Sequence, residues 1–214
     1  MTRDTEHVET VIIGGGHAGL TMSYSLSRLG REHVILERGR VGERWRSERW
    51  DSFHFQFPNW TIELPGYNYQ CDDSDAFAPG SEVVRFLDGY ADFIHAPVRC
   101  GTTVTSLEQE DQPEKRMSEA KEVSDPVLEL DLESAGITSI VWATGFRYDF
   151  DWVKLPVFDD LGEPVHQRGI TNFPGIYFLG LRWLHKRKSS FLLKAAPAED
   201  ADYLTQHINN RGNI

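Results

Sequence analysis

Three glycines and one acid are the first residues in this chain whose types and spacing point to chemistry. The run Gly14-Gly15-Gly16-His17-Ala18-Gly19 follows the apolar stretch Val11-Ile12-Ile13. A second apolar stretch, His33-Val34-Ile35-Leu36, ends in Glu37. Strand, glycine turn, helix, strand and acid is the context in which a Gly-x-Gly-x-x-Gly turn binds a dinucleotide. Gly14 permits the tight turn, Gly16 lets the backbone approach a pyrophosphate, and Gly19 lets the helix pack closely on the strand. Glu37 can accept hydrogen bonds from a ribose hydroxyl. His17 and Ala18 lie at the helix N-terminus, whose free N–H groups and positive dipole end face a phosphate.

The elements that must position these residues are legible from periodicity. Val8 to Ile13 reads as a strand, Ala18 to Leu29 as an amphipathic helix (Leu20, Met22, Leu26, Leu29), and His33 to Glu37 as a strand. Gly39 to Asn68 is rich in Trp, Phe and Arg without a clean period, and is expected to be a long structured loop. The pattern predicts a helix over Ser81 to Ile94, capped by Ser81, with Val84, Leu87, Tyr90 and Ala91 as its apolar stripe. Ala96 to Thr105 is expected to be a strand, as are Ile137 to Ala143 and Gly175 to Gly180, and Ala198 to Ile208 a closing helix.

Glu108 to Asp125 is charged, free of aromatics and contains one proline, the composition of a flexible polar linker. The expected organisation is therefore a single domain over residues 1–214, in two sequence halves (1–107 and 126–214) joined by the linker 108–125.

Composition narrows the function classes. The 214 residues are 40% hydrophobic and 12% aromatic with a net charge of −11, which suits a globular protein and disfavours nucleic acid and anionic membranes as partners. Cys71 and Cys100 are too far apart for a metal knuckle, and no metal site is expected. The N-terminus lacks signal-peptide order, and no apolar run approaches the roughly 18 residues of a membrane span. A cytoplasmic location is the expectation.

The downstream motifs carry a resemblance. Val41-Gly42-Glu43-Arg44-Trp45, Arg49-Trp50-Asp51-Ser52-Phe53 with Pro58-Asn59-Trp60, and Trp142-Ala143-Thr144-Gly145-Phe146 stand in order behind the glycine turn. Gly175 to Gly180 follows before the last helix. The chain resembles the FAD-binding portion of flavin-containing monooxygenase-like NAD(P)/FAD-dependent oxidoreductases, relatives of the Baeyer–Villiger monooxygenases. That resemblance implies an α/β fold, a Rossmann-type three-layer FAD-binding domain with a central parallel sheet. It implies FAD as cofactor, with Thr144, Gly145 and Gly180 beside it.

The residues between these motifs allow two readings each. Trp45 and Trp60 can wall a flavin or serve as core aromatics. Arg44 and Arg46 can reach a phosphate or stand solvated. Asn59 can hydrogen-bond a flavin ring atom or hold a turn. The candidate cofactor-binding set is Gly14, Gly16, His17, Ala18, Gly19, Glu37, Arg38, Arg44, Trp45, Asn59, Thr144, Gly145 and Gly180. No catalytic residue is assigned; His54, in the aromatic loop, is the one histidine to test for proton transfer.

The sequence departs from that family in two places. It holds a single Gly-x-Gly turn, so the inserted NADPH domain with its own fingerprint is missing. Before the last helix, where the family places glycines, it has Leu192-Leu193-Lys194-Ala195-Ala196-Pro197. The expectation is an FAD-binding oxidoreductase acting on a small-molecule substrate, reduced by a separate reductase, by diffusing NADPH or by the substrate itself. The alternatives are a non-catalytic FAD- or nucleotide-binding remnant and an NAD-binding protein, since Glu37 suits either ribose.

Overall fold

In the computed structural model, residues 7–107, 149–181, 184–185 and 198–211 are described. The expectations for the linker 108–125, for the strand Ile137 to Ala143, and for Thr144, Gly145 and Pro197 fall outside those residues.

The chain opens with strand β1 (Thr10–Ile13), helix α1 (His17–Arg28) and strand β2 (His33–Leu36). β1 and β2 pair in parallel with Thr10 opposite His33 and Ile13 opposite Leu36. Helix α2 (Glu43–Ser47), a 3-10 turn (Asn59–Thr61) and a hairpin of β3 (Glu63–Leu64) and β4 (Tyr67–Asn68) occupy the segment expected to be a loop. Helix α3 (Gly80–Phe93) leads to β5 (Val98–Arg99), which pairs in parallel with β2. The sheet order is therefore β1-β2-β5, with α1 making the crossover from β1 to β2. The α/β expectation is borne out.

The later segments are a small hairpin, β6 (His166–Gln167) and β7 (Ile170–Thr171), and helix α4 (Ala198–Arg211). α4 packs on α1. Ala201 and Leu204 of α4 join Leu20, Met22 and Leu26 of α1 in one buried cluster with Leu87 and Tyr90 of α3. Leu20 and Leu26 are fully enclosed, and each contributes about 1.5–3 kcal/mol of burial free energy. Ser25 of α1 donates to the Asp202 carboxylate of α4 at 2.7 Å. A second cluster, built on Val153, Leu155 and Val157, packs against Leu107, Phe150 and Phe178. Leu107 also pairs in parallel with Val153.

Several boundaries differ from the sequence reading for identifiable reasons. α3 begins at Gly80 behind Pro79, and no side chain caps it, so Ser81 lies inside the first turn instead of capping it. Leu29 is the C-cap of α1 and is 47% exposed, outside the apolar stripe. β5 is two residues long because only Val98 and Arg99 face β2. Gly175 to Gly180 is not a strand. Only Tyr177 bridges there, antiparallel to Ile170, between glycines at φ +91° and +80° that turn the chain away at both ends.

Candidate dinucleotide site

The site is built on the end of β1. Gly14 adopts φ +108°, a conformation that L side chains rarely take, and its N–H donates to the Leu36 carbonyl at 2.9 Å. This bond ties the turn to the end of β2, where Glu37 follows. Gly16 is the N-cap of α1 in extended backbone and, its chain neighbours aside, no atom of the described residues lies within 4 Å of where a Cβ would stand. That open space is what a phosphate needs to reach the first N–H groups of the helix. Gly19 is the opposite case: a Cβ there overlaps the Gly14 carbonyl oxygen. One glycine leaves room for a ligand, and the other lets the helix lie against the turn.

Glu37 braces this loop from the side. Its Oε2 accepts from the Gly15 N–H at 2.6 Å, and its Oε1 accepts from the Gly39 N–H at 2.8 Å. An ionised carboxylate offers about four lone-pair positions, so two acceptor directions remain for ribose hydroxyls. Gly15 also accepts from the Gly42 N–H at 3.0 Å, which fixes the start of α2 against the turn.

α2 is only five residues long and has no fully buried residue, so ion pairs and the packing of Trp45 hold it. Arg46 donates to both carboxylate oxygens of Asp88 on α3, at 2.6 and 2.5 Å, and to the Val41 carbonyl at 3.1 Å. Arg40 makes two side-chain bonds to Glu43, at 2.8 and 2.9 Å, and holds that carboxyl at a pKa of about 2. Arg38 and Arg44 both face Glu48, at 3.9 and 3.3 Å, with 70% and 72% of their side chains exposed.

Trp45, on α2, rests on the main core and contacts the rings of Phe53 and Phe55 at centroid distances of 5.9 and 6.0 Å. Asn59 is buried. Its amide nitrogen donates to the Asp73 carbonyl at 2.9 Å, a tie across 14 positions, and its Oδ1 has no hydrogen-bond partner among the described residues. Trp60 is half exposed. His54 is exposed and its Nδ1 lies 3.0 Å from the Ser52 carbonyl.

The contact that sequence reasoning did not supply joins the start of α1 to Gly180. Gly180, at φ +80°, lies so close to α1 that a Cβ there would stand 3.0 Å from the Cβ of Ala18. Two candidates 162 positions apart are thus neighbours at the helix N-terminus. Among the described residues, no group of His, Cys, Asp and Glu could hold a metal ion, and no helix is long and apolar enough to cross a membrane.

The sequence profile of pyridine nucleotide-disulphide oxidoreductases matches residues 11–125, which include the whole glycine turn and Glu37. The chain belongs to that oxidoreductase family. The CzcO-like oxidoreductase of Geobacillus kaustophilus (strain HTA426) is 34% identical over 347 aligned positions, spanning 95% of this chain and 99% of that protein. At least 133 of those positions (347 against 214 residues) hold no residue of this chain. The CzcO oxidoreductase of Bacillus subtilis (strain 168) is 35% identical over 96 residues, 44% of this chain and 27% of that protein. Among solved structures, the flavin-containing monooxygenase from Stenotrophomonas maltophilia is 28% identical, with a TM-score of 0.46 over 50% of this chain and 32% of that one. The chain thus spans about a quarter to a third of the latter two proteins.

Proposed function

We propose that this chain binds FAD and works as a monooxygenase-like flavin oxidoreductase on a small-molecule substrate, taking its electrons from outside its own fold. One observation carries the reading: the open face at Gly16, set between a left-handed Gly14 and the Ala18–Gly180 contact at the start of α1. That geometry receives a pyrophosphate. His17 and Ala18 present the helix N-terminus to it, and Glu37 takes a ribose. Trp45 and the unsatisfied Asn59 Oδ1 fit the flavin side, where a ring N–H would find an acceptor. The resemblance adds Thr144 and Gly145 on that side, and the exposed Arg38 and Arg44, each paired with Glu48, would serve as phosphate contacts. Bound FAD would supply electron transfer and reaction with oxygen, while the protein supplies position and exclusion of water.

The external electron source follows from the single glycine fingerprint and from the aligned stretch of the Geobacillus relative that this chain lacks. A separate reductase, diffusing NADPH or the substrate itself would serve. A cytoplasmic setting belongs to the same reading and fits the two free, exposed thiols of Cys71 and Cys100.

The purified protein is expected to be yellow, absorbing near ~450 nm, and to bleach anaerobically with NADPH, alone or with a reductase, or with substrate. A colourless protein that takes up no added FAD overturns the reading. A yellow protein that none of these donors reduces identifies a non-catalytic flavin-binding remnant instead.

A further inference from the structure

The segment 38–49 carries five arginines, and the structure treats one of them differently. Arg38, Arg40, Arg44 and Arg46 each face a carboxylate. Arg49 faces none among the described residues. Among the described residues, the one hydrogen bond its side chain donates goes to the Glu48 carbonyl at 3.2 Å. Its guanidinium lies instead over two rings, 5.2 Å from the centroid of Trp45 and 5.5 Å from that of Phe53. Trp50 meets Phe53 edge-on at 5.0 Å and is 65% exposed.

Stacking fixes the plane of a guanidinium and leaves its in-plane N–H donors pointing outward. A planar cation with spare donors matches the bidentate geometry of a carboxylate. The exposed Trp50 ring, which meets the same Phe53, offers an aromatic surface to whatever the carboxylate is attached to. The chain that carries Arg49 is anchored at the proposed cofactor turn through the bond from Gly42 to Gly15.

We propose that Arg49 is the anion-recognition residue of the substrate site, and that the substrate is a small carboxylate with an aromatic or apolar body. The proposal rests on the reading of this segment as part of the flavin site, but its binding step needs no flavin. Arg49 acts here as a binding and specificity residue, with no bond made or broken on it.

The test uses the full chain, with benzoate as probe and benzamide as its neutral counterpart. Binding is followed by calorimetry and by tryptophan fluorescence, since the guanidinium lies over the Trp45 ring. Wild-type protein is expected to prefer benzoate to benzamide by about ten- to a hundredfold, the range for a charge-assisted hydrogen bond. Arg49→Gln is expected to erase that preference, and Arg49→Lys to keep part of it. All three proteins should unfold in one cooperative transition and share one FAD stoichiometry, with Arg49→Gln melting slightly lower for the loss of its two ring contacts. Equal binding of the two probes, absence of benzoate binding, or a preference that survives in Arg49→Gln overturns the proposal. Arg49→Gln that instead loses a preference for NADPH over NADH, with no benzoate binding, assigns the arginine to a nucleotide phosphate and also overturns it. A colourless protein that binds benzoate through Arg49 would defeat the flavin reading and leave this one standing.

Discussion

Gly19 lies so close to Gly14 that no side chain can be placed between helix α1 and the turn that precedes it. Gly16, three residues earlier, has empty space where its side chain would stand. These two positions separate folding from binding. Gly19→Ala is expected to destabilise the protein by about 1–3 kcal/mol, the usual cost of overpacking, and to lower its melting temperature. Gly16→Val should melt like the natural protein but lose FAD affinity at least tenfold in a fluorescence titration, because its branched side chain fills the ligand's space. Full FAD affinity in Gly16→Val would show that the cofactor binds elsewhere.

Glu37→Gln keeps one oxygen acceptor but removes the charge that two backbone N–H groups now share. Loss of a charge-assisted bond costs about 1.5–3 kcal/mol when its donor is left unmatched. The expected result is a modest drop in thermal stability, together with weaker binding of FAD and of ADP alike. An effect on FAD with none on ADP would place the carboxylate away from the ribose.

Arg168 stands at φ +49° in the β6–β7 turn, donates to the Asp200 carboxylate at 2.9 Å, and lies 4.4 Å from the Tyr203 ring centroid. Asp200 is 3% exposed, so removing its partner leaves a buried charge. Arg168→Ala is expected to lower stability by about 2 kcal/mol and to speed amide exchange in α4 before α1. A uniform rise in exchange across both helices would count against this view of how α4 is held.

His166 receives a bond from the Gly169 N–H on its Nδ1, 3.2 Å away, and burial holds its pKa below the usual 6.5. A histidine with a lowered folded pKa stabilises the protein above its unfolded pKa and loses that contribution as the pH falls through it. Protonation would also remove the lone pair that accepts from Gly169. Stability should therefore decline below about pH 6.5, and His166→Asn should flatten that part of the profile. Melting temperatures measured from pH 7.5 to 5 check the slope; an equal slope in the variant refutes the assignment.

The first third of the chain was legible because its signals are local. Periodicity sets α1, Gly14 takes the left-handed conformation of a tight turn, and Gly19 has the close approach it was read to need. α2 was not legible. It is one turn of helix without a buried residue, held by Arg46 on Asp88, and nothing in its own period reveals a partner 42 positions away. The stretch ending in Gly180 misled in the other direction: its apolar residues suggest a strand, but positive-φ glycines at both ends leave one bridge at Tyr177. Its residue that matters touches Ala18, a contact made only by tertiary packing.

The grip of α4 on α1 sets an order of events during synthesis. The Ser25–Asp202 bond closes 177 residues of chain, and the cluster around Leu20 is incomplete without Ala201 and Leu204. The glycine turn emerges from the ribosome well before α4, the helix that buttresses α1. A nascent chain therefore carries the glycine turn long before α1 gains the packing that α4 supplies.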